Sequence, residues 1–122
     1  MTQVLAVDDT PLNLKLLSVM LVSHGYEVRT ATTAEEALEV LVDYRPKLLL
    51  VDVRLPKLDG LGLVRLVRAD PAHRSLVIVA VTASAMKGDE QVALAAGCDA
   101  YVTKPIDTRT LPVRLARLLA GS

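Results

Sequence analysis

Five short aliphatic runs recur along the chain, and each is followed by a longer stretch with helical spacing. The runs are Gln3–Val7, Tyr26–Thr30, Leu48–Val51, Leu76–Val81 and Ala100–Thr103. Three of them are apolar almost throughout, the pattern of parallel strands buried on both faces. Parallel neighbours require long crossover connections, and strand–helix–strand crossovers are right-handed. The alternation therefore predicts an α/β fold: a doubly wound five-stranded parallel sheet with five helices on its two faces. The 122 residues suffice for one such unit, and no linker, repeat or low-complexity tract divides them, so residues 1–122 are expected to form one domain.

The helical stretches carry their own start and stop signals. Thr10-Pro11 opens the first, with Thr at the N-cap and Pro at the first helical position, and Gly25 closes it. Thr33 and Glu36 have capping-box spacing, with Ala37, Leu38 and Leu41 on one face behind them. Gly60 precedes a third helix that stops before Pro71. A fourth is expected from about Met86 to Ala96, weakened by Gly88 and ended by Gly97. Pro112 is compatible with a fifth helix only in its first turn, so that helix is expected to begin near Thr110 and end near Leu119. In the first helix Leu12, Leu16 and Val19 form one stripe, expected against the sheet. Leu14, Leu17 and Leu21 form a second, roughly opposite.

Composition removes several function classes. Lys plus Arg and Asp plus Glu are both 14, so the basic excess of a dedicated nucleic-acid binder is missing. There is no Phe or Trp, and the aromatics are Tyr26, Tyr44 and Tyr101, too few for a single-strand stacking platform. The single Cys98 forms neither an internal disulfide nor a zinc site and reads as a small semi-buried residue. No apolar run approaches the ~18 residues of a membrane span, and no basic-then-apolar leader opens the chain, so a cytoplasmic protein is expected. Met1 and the short Ala120-Gly121-Ser122 end fit a complete small protein.

In an open parallel sheet, ligands bind beyond the carboxyl ends of the strands. Asp8 and Asp9 follow the first run, Asp52 the third, Thr82 the fourth, and Lys104-Pro105 the fifth. With the first strand central and beside the third, these groups converge. Singly, each has an ordinary reading: helix-start acids for Asp8-Asp9, a loop threonine, a loop lysine. Together they form a functional rim. Clustered carboxylates need a cation or a proton, and an oxygen-only donor set suits Mg²⁺ (or Mn²⁺) rather than zinc. A carboxylate beside such a cation and an ammonium can attack a phosphoryl group. A flavodoxin-like cofactor protein would share the topology, but the acidic rim repels a flavin phosphate and no Gly-rich cradle is present.

Six segments carry a resemblance across essentially the whole chain: Val4-Leu5-Ala6-Val7-Asp8-Asp9, Leu48 to Pro56, Asp59-Gly60, Val79-Ala80-Val81-Thr82-Ala83, Ala96 to Tyr101, and Lys104-Pro105. In these the chain resembles the receiver domains of two-component response regulators, the CheY-like group. The resemblance implies strand order 2-1-3-4-5 and a single-domain regulator without enzymatic output, assisting only its own phosphorylation and dephosphorylation. Asp52 would be the phosphoacceptor, supplied by a sensor histidine kinase or a histidine phosphotransfer protein. Asp9, Asp52 and the backbone carbonyl of Arg54 would bind Mg²⁺, with Asp8 acting through metal-bound water. Lys104 would contact the phosphoryl oxygens, and the bond before Pro105 would be cis. Thr82 and Tyr101 would form the switch. The Arg54 side chain, at the site mouth, is expected to alter water access and the lifetime of the aspartyl phosphate.

The partner surface is expected at Leu14, Leu17, Pro105 and Ile106, with Met86 and Lys87 on the switch side. The downstream protein is unspecified, and the chain would act as a monomer or a phosphorylation-dependent dimer, without contact to nucleic acid or membrane. With a receiver filling the length, its signal is expected to leave by binding another molecule. The rival reading is a receiver-fold interaction module that ignores phosphorylation.

Overall fold

The most apolar runs lie at the centre of the sheet. In the computed structural model, which describes residues 2–54, 59–83 and 88–121, β1 (Gln3–Val7), β3 (Leu48–Asp52) and β4 (Val77–Thr82) are flanked by β2 (Glu27–Ala31) and β5 (Ala100–Thr103). The order is β2-β1-β3-β4-β5 and every pairing is parallel. All residues of β3 and β4 are buried, whereas β2 at the edge is mostly exposed or half-buried. This gradient explains why the central strands read as continuous aliphatic runs and the Glu27-Val28-Arg29-Thr30 edge does not.

Five helices cover both faces: α1 (Pro11–Ser23), α2 (Ala34–Asp43), α3 (Gly60–Ala69), α4 (Asp89–Ala96) and α5 (Leu111–Ala120). Leu5, Val7, Leu49, Val51, Ile78 and Ala80 point to the face that α2, α3 and α4 cover with Ala37, Leu41, Leu63, Val67 and Ala93. Their neighbours Val4, Ala6, Leu48, Leu50, Val79 and Val81 point to the other face, under α1 and α5, where Leu14, Leu17, Leu21, Leu111 and Leu115 meet them. A short 3₁₀ turn, Pro71–His73, follows α3 and was not foreseen; Asp70 caps it by accepting the Ala72 amide at 2.9 Å.

Helix termini follow the sequence signals in part. Pro11 is the first residue of α1 and Gly25 follows its end at φ +88°. Thr10 occupies the N-cap without a capping bond from its side chain; Asp8 Oδ1 takes the Thr10 amide instead, at 2.9 Å. Thr33 Oγ1 accepts from the Glu36 amide at 3.0 Å, but the Glu36 carboxylate turns to Thr32, so the capping box is half made. Pro112 lies in the first turn of α5, as its ring requires. The described part of α4 begins at Asp89, later than expected. Gly88 stands before it at φ +93°, a conformation that cannot continue a right-handed helix. Met86 and Lys87 lie outside the described residues.

The face assignment of α1 is corrected. Leu14, Leu17 and Leu21 are buried on the sheet together with Met20, whereas Leu12, Leu16, Val19 and Val22 stand 57–64% exposed. Lys15 shares the exposed stripe, three residues after Leu12 and four before Val19, and its charge has to face water. Leu14 and Leu17 are therefore core residues rather than an open partner surface. No helix among the described residues is long and apolar enough to cross a membrane.

Candidate functional site at the strand ends

The carboxyl ends of β1, β3 and β5 bring Asp8, Asp52 and Lys104 into contact. Asp8 is 1% exposed and Asp52 6% exposed, so two carboxylates are held almost wholly out of water. Lys104 Nζ donates to Asp8 Oδ2 at 2.9 Å and to Asp52 Oδ2 at 3.2 Å, bridging them. The remaining oxygens are fixed by backbone: Thr10 N donates to Asp8 Oδ1 at 2.9 Å, and Arg54 N to Asp52 Oδ1 at 2.9 Å. Asp9 is exposed beside them, its Oδ1 3.4 Å from the Thr10 hydroxyl.

Each position follows from its strand. Asp52 ends β3 and is clamped from behind: the Val53 amide donates to Val81 O at 3.0 Å, and Gly60 at the start of α3 packs on the Asp52 carbonyl. A side chain at Gly60 would place its Cβ 2.8 Å from Val53 Cα, so the approach of α3 to the end of β3 requires glycine. The sequence signal, Asp59-Gly60, reads as a helix start and does not disclose this second role. Lys104 follows β5; its amide donates to Thr82 O at 2.6 Å and its peptide bond to Pro105 is cis.

Burial raises the Asp52 carboxyl above its ordinary range. The Arg54 amide and the Lys104 charge pull it down, Asp8 pushes it up, and the balance stays upward. For Lys104, burial pulls the ammonium down, but its hydrogen bond to Asp8 and the charges of Asp52 and Asp8 outweigh this and hold it above the usual lysine value. One ammonium thus serves two buried carboxylates, with Asp9 adding a third negative group at the rim. Oxygens of Asp8, Asp9 and Asp52 lie within 4.8 Å of one another. A surplus of negative charge, offered only by hard oxygen donors, fits a divalent cation of the Mg²⁺ class.

The other expected site residues separate into two groups. Thr82 is buried at the end of β4, and Tyr101 is half-buried on the neighbouring strand. Burial and then the charge of Asp89 raise the Tyr101 phenol, while a hydrogen bond with the Thr82 side chain lowers it. Thr82, Tyr101, Arg54 and Asp89 border one depression of about 170 Å³. On the other side of Lys104, Pro105 is exposed and Ile106 half-buried. They line a second pocket, of about 160 Å³, with Asn13, Leu16, Leu17 and Met20 of α1. Asn13 and Leu16 were not expected there, since the stripe that carries Leu16 was assigned to the sheet.

Comparison with known proteins places this arrangement. A family model described as response regulator receiver domain matches residues 4–116. The polar-differentiation response regulator DivK of Brucella anthropi is 40% identical over 103 residues, 84% of each chain. Among solved structures, the chemotaxis response regulator CheY4 of Vibrio cholerae superposes with a TM-score of 0.91 at 31% identity, covering 97% of this chain and 98% of that one. The receiver domain of the sensor histidine kinase PA1611 from Pseudomonas aeruginosa, which holds a magnesium ion in its active-site cleft, gives 0.89 at 36% identity over 99% and 98%. With the strand order, the acidic rim and a family match over nearly its whole length in agreement, this chain belongs to the response regulator receiver domains of two-component signalling.

Proposed function

We propose that Asp52 accepts a phosphoryl group from a phosphohistidine of a sensor kinase or phosphotransfer protein, and that the phosphorylated chain signals by binding another protein. The observation that carries this reading is the bridge from Lys104 to both Asp8 and Asp52 beneath the exposed Asp9. An Asp52 carboxylate oxygen attacks phosphorus; the phosphorus–nitrogen bond of the donor breaks, and its electron pair remains on the imidazole nitrogen. The Arg54 amide holds the Asp52 side chain in one rotamer throughout. Lys104 is placed to transfer its contact from Asp52 to a phosphoryl oxygen without leaving Asp8. Asp9, Asp52 and the Arg54 carbonyl would hold Mg²⁺, with Asp8 through water; the cation supplies charge neutralisation on the transferred oxygens.

The test is incubation with a small phosphodonor, read by intact mass. A gain of one phosphoryl group is expected with Mg²⁺ and none with EDTA. Lys104→Met is expected to slow the gain about 10²-fold, the cost typical of removing one donor to the developing charge. No gain in the parent chain favours a receiver-fold module that works without phosphorylation.

The depression beside Tyr101 supports a switch: Thr82 turns toward the phosphoryl group, its hydrogen bond with Tyr101 is lost, and the ring enters the vacated space. For the donor, the supported docking surface is the pocket of Asn13, Leu16, Pro105 and Ile106, which opens beside Lys104. A pair of variants separates fold from docking. Leu14→Ser is expected to cost about 2–4 kcal/mol in urea unfolding, because it places a hydroxyl in the core. Leu16→Ser is expected to change stability by no more than about 0.5 kcal/mol. It should slow transfer from a phosphorylated protein donor while leaving the small phosphodonor rate unchanged.

A further inference from the structure

At the amino ends of β3 and β4, opposite the acidic rim, lies a depression of about 340 Å³ lined by Arg45, Pro46, Lys47, His73, Ser75 and Leu76, with Ala72 at its edge. Lys47 to Asp52 is five residues of extended chain, which separates it from the phosphoacceptor by about 16 Å. Four of these side chains can donate a hydrogen bond and two carry fixed positive charge, and no carboxylate is among the described lining residues. Asp70 is the acid that approaches His73. Its Oδ1 is engaged by the Ala72 amide, and its Oδ2 is 3.9 Å from His73 Nε2, beyond hydrogen-bond reach. The His73 side chain is 8% exposed, so a largely buried imidazole borders the depression.

The walls are fixed in advance. The Lys47 amide donates to Gln3 O at 2.9 Å and its carbonyl accepts from the Val77 amide at 3.1 Å. Across the depression, Arg68 reaches from α3 to the carbonyls of Leu76 at 2.6 Å, His73 at 3.3 Å and Arg74 at 3.4 Å. The Arg45 guanidinium is oriented by one bond to Leu41 O, which leaves most of its donors available. A cavity of this size lies within the range of small-ligand sites. Its lining repels cations. An Arg fork beside a Lys point charge matches the oxygens of a phosphate, and Pro46 and Leu76 offer apolar surface to an organic portion.

We propose that this pocket, formed by Arg45, Lys47, His73 and Ser75, is a second site that binds a small phosphate-bearing anion, independently of events at Asp52. The experiment is a titration of the ¹⁵N-labelled full chain with inorganic phosphate and, separately, with ADP. EDTA is present and ionic strength is held constant, so that no divalent cation draws either probe to the acidic rim. Saturable shifts at the amides of Lys47, His73 and Ser75 are expected, with a Kd of about 1 mM or tighter for one probe or both. Arg45→Gln with Lys47→Gln is expected to weaken binding at least ~10-fold. Both side chains are exposed, and an unchanged unfolding midpoint checks that the double variant is intact. Tighter binding of ADP places the organic portion on the apolar wall, and equal binding limits recognition to phosphate; either supports the site. Shifts that grow linearly without saturation, shifts confined to Asp8, Asp52 and Lys104, or binding undiminished in the double variant overturn it.

Discussion

Asp52→Asn is expected to leave the chain more stable than the parent in EDTA at neutral pH, by about 1 kcal/mol, while abolishing phosphoryl uptake. The reason is that the buried, ionised Asp52 carboxylate works against the fold. Its carboxyl titrates higher in the folded chain than in the unfolded one, with burial the first cause. Protonation therefore favours the fold: that stabilisation is complete below the unfolded carboxyl's range near pH 4 and is lost as pH rises through the folded value. At neutral pH the ionised group is a net burden, and one ammonium has to serve it and Asp8 together.

Asparagine keeps an oxygen for the Arg54 amide and leaves Lys104 its bond to Asp8, so the burden is lifted without orphaning a partner. Urea unfolding across pH checks this. The gap between variant and parent should narrow as pH falls toward about 4, where the parent's carboxyl takes up its proton. Adding Mg²⁺ should reverse the order. A ligand that binds only the folded state adds about 2.7 kcal/mol at a hundred times its Kd, and the parent has the fuller ligand set. A variant less stable than the parent in EDTA at neutral pH would overturn this account.

Arg68→Ala is expected to cost about 3 kcal/mol, or roughly 10 °C in thermal midpoint, and to leave Asp52 chemistry intact. Arg68 makes its bonds at the end of the sheet remote from the site. Besides the carbonyls of the 73–76 segment, its Nε donates to Gly97 O at 2.8 Å and its Nη2 to Asp99 Oδ2 at 2.7 Å. Asp99 Oδ2 also accepts the Ile78 amide at 2.8 Å, so one guanidinium joins α3, the entry to β4 and the junction of α4 with β5. Removing it takes a donor from the partly buried carbonyls of Leu76 and Gly97, while the His73 carbonyl keeps the Leu76 amide. Gly97, at φ +120°, lies against the stem of Arg68: a Cβ there would be 2.6 Å from Arg68 Cγ. Asp99→Asn should cost less, about 1 kcal/mol, because that carboxylate is 43% exposed and water screens the pair. If phosphoryl uptake per folded molecule fell with Arg68→Ala, the separation of clamp from site would be wrong.

The features legible in the sequence were those in which one residue type meets one physical demand. Buried central strands demand continuous aliphatics, and β3 and β4 read that way. Asp8 and Asp52 stand where two such runs break off and Lys104 follows the edge run of β5, and the structure brings the three into contact. Pro112 dictated the start of α5 because its ring tolerates only the first turn.

The features that escaped were those decided by distant partners. α1 is aliphatic on both stripes, so periodicity alone does not choose its inner face; Lys15 on the Leu12–Val19 stripe was the available signal. The role of Gly60 depends on α3 meeting the Asp52 carbonyl, a contact with no local signature. Arg68 looks like any helix-surface arginine until the fold places the carbonyls of Leu76 and Gly97 around it. Gly88 reads as a weak helix residue, whereas its positive φ makes it a boundary.

The unequal ends of α4 have a mechanical consequence. One end is riveted by Arg68 through Gly97 and Asp99, and the other begins at Gly88 with no side-chain cap, next to the depression shared by Arg54, Thr82 and Tyr101. Eight residues of helix make an arm of about 12 Å. A tilt of only about 10° at the riveted end carries Asp89 through about 2 Å, roughly half the thickness of a methyl group. The helix is thus a lever whose fulcrum lies far from Asp52 and whose Asp89 tip borders the depression of Thr82 and Tyr101. A tilt of that kind would carry the whole α4 surface with it, most at Asp89 and least toward Gly97, without any part of the sheet having to move.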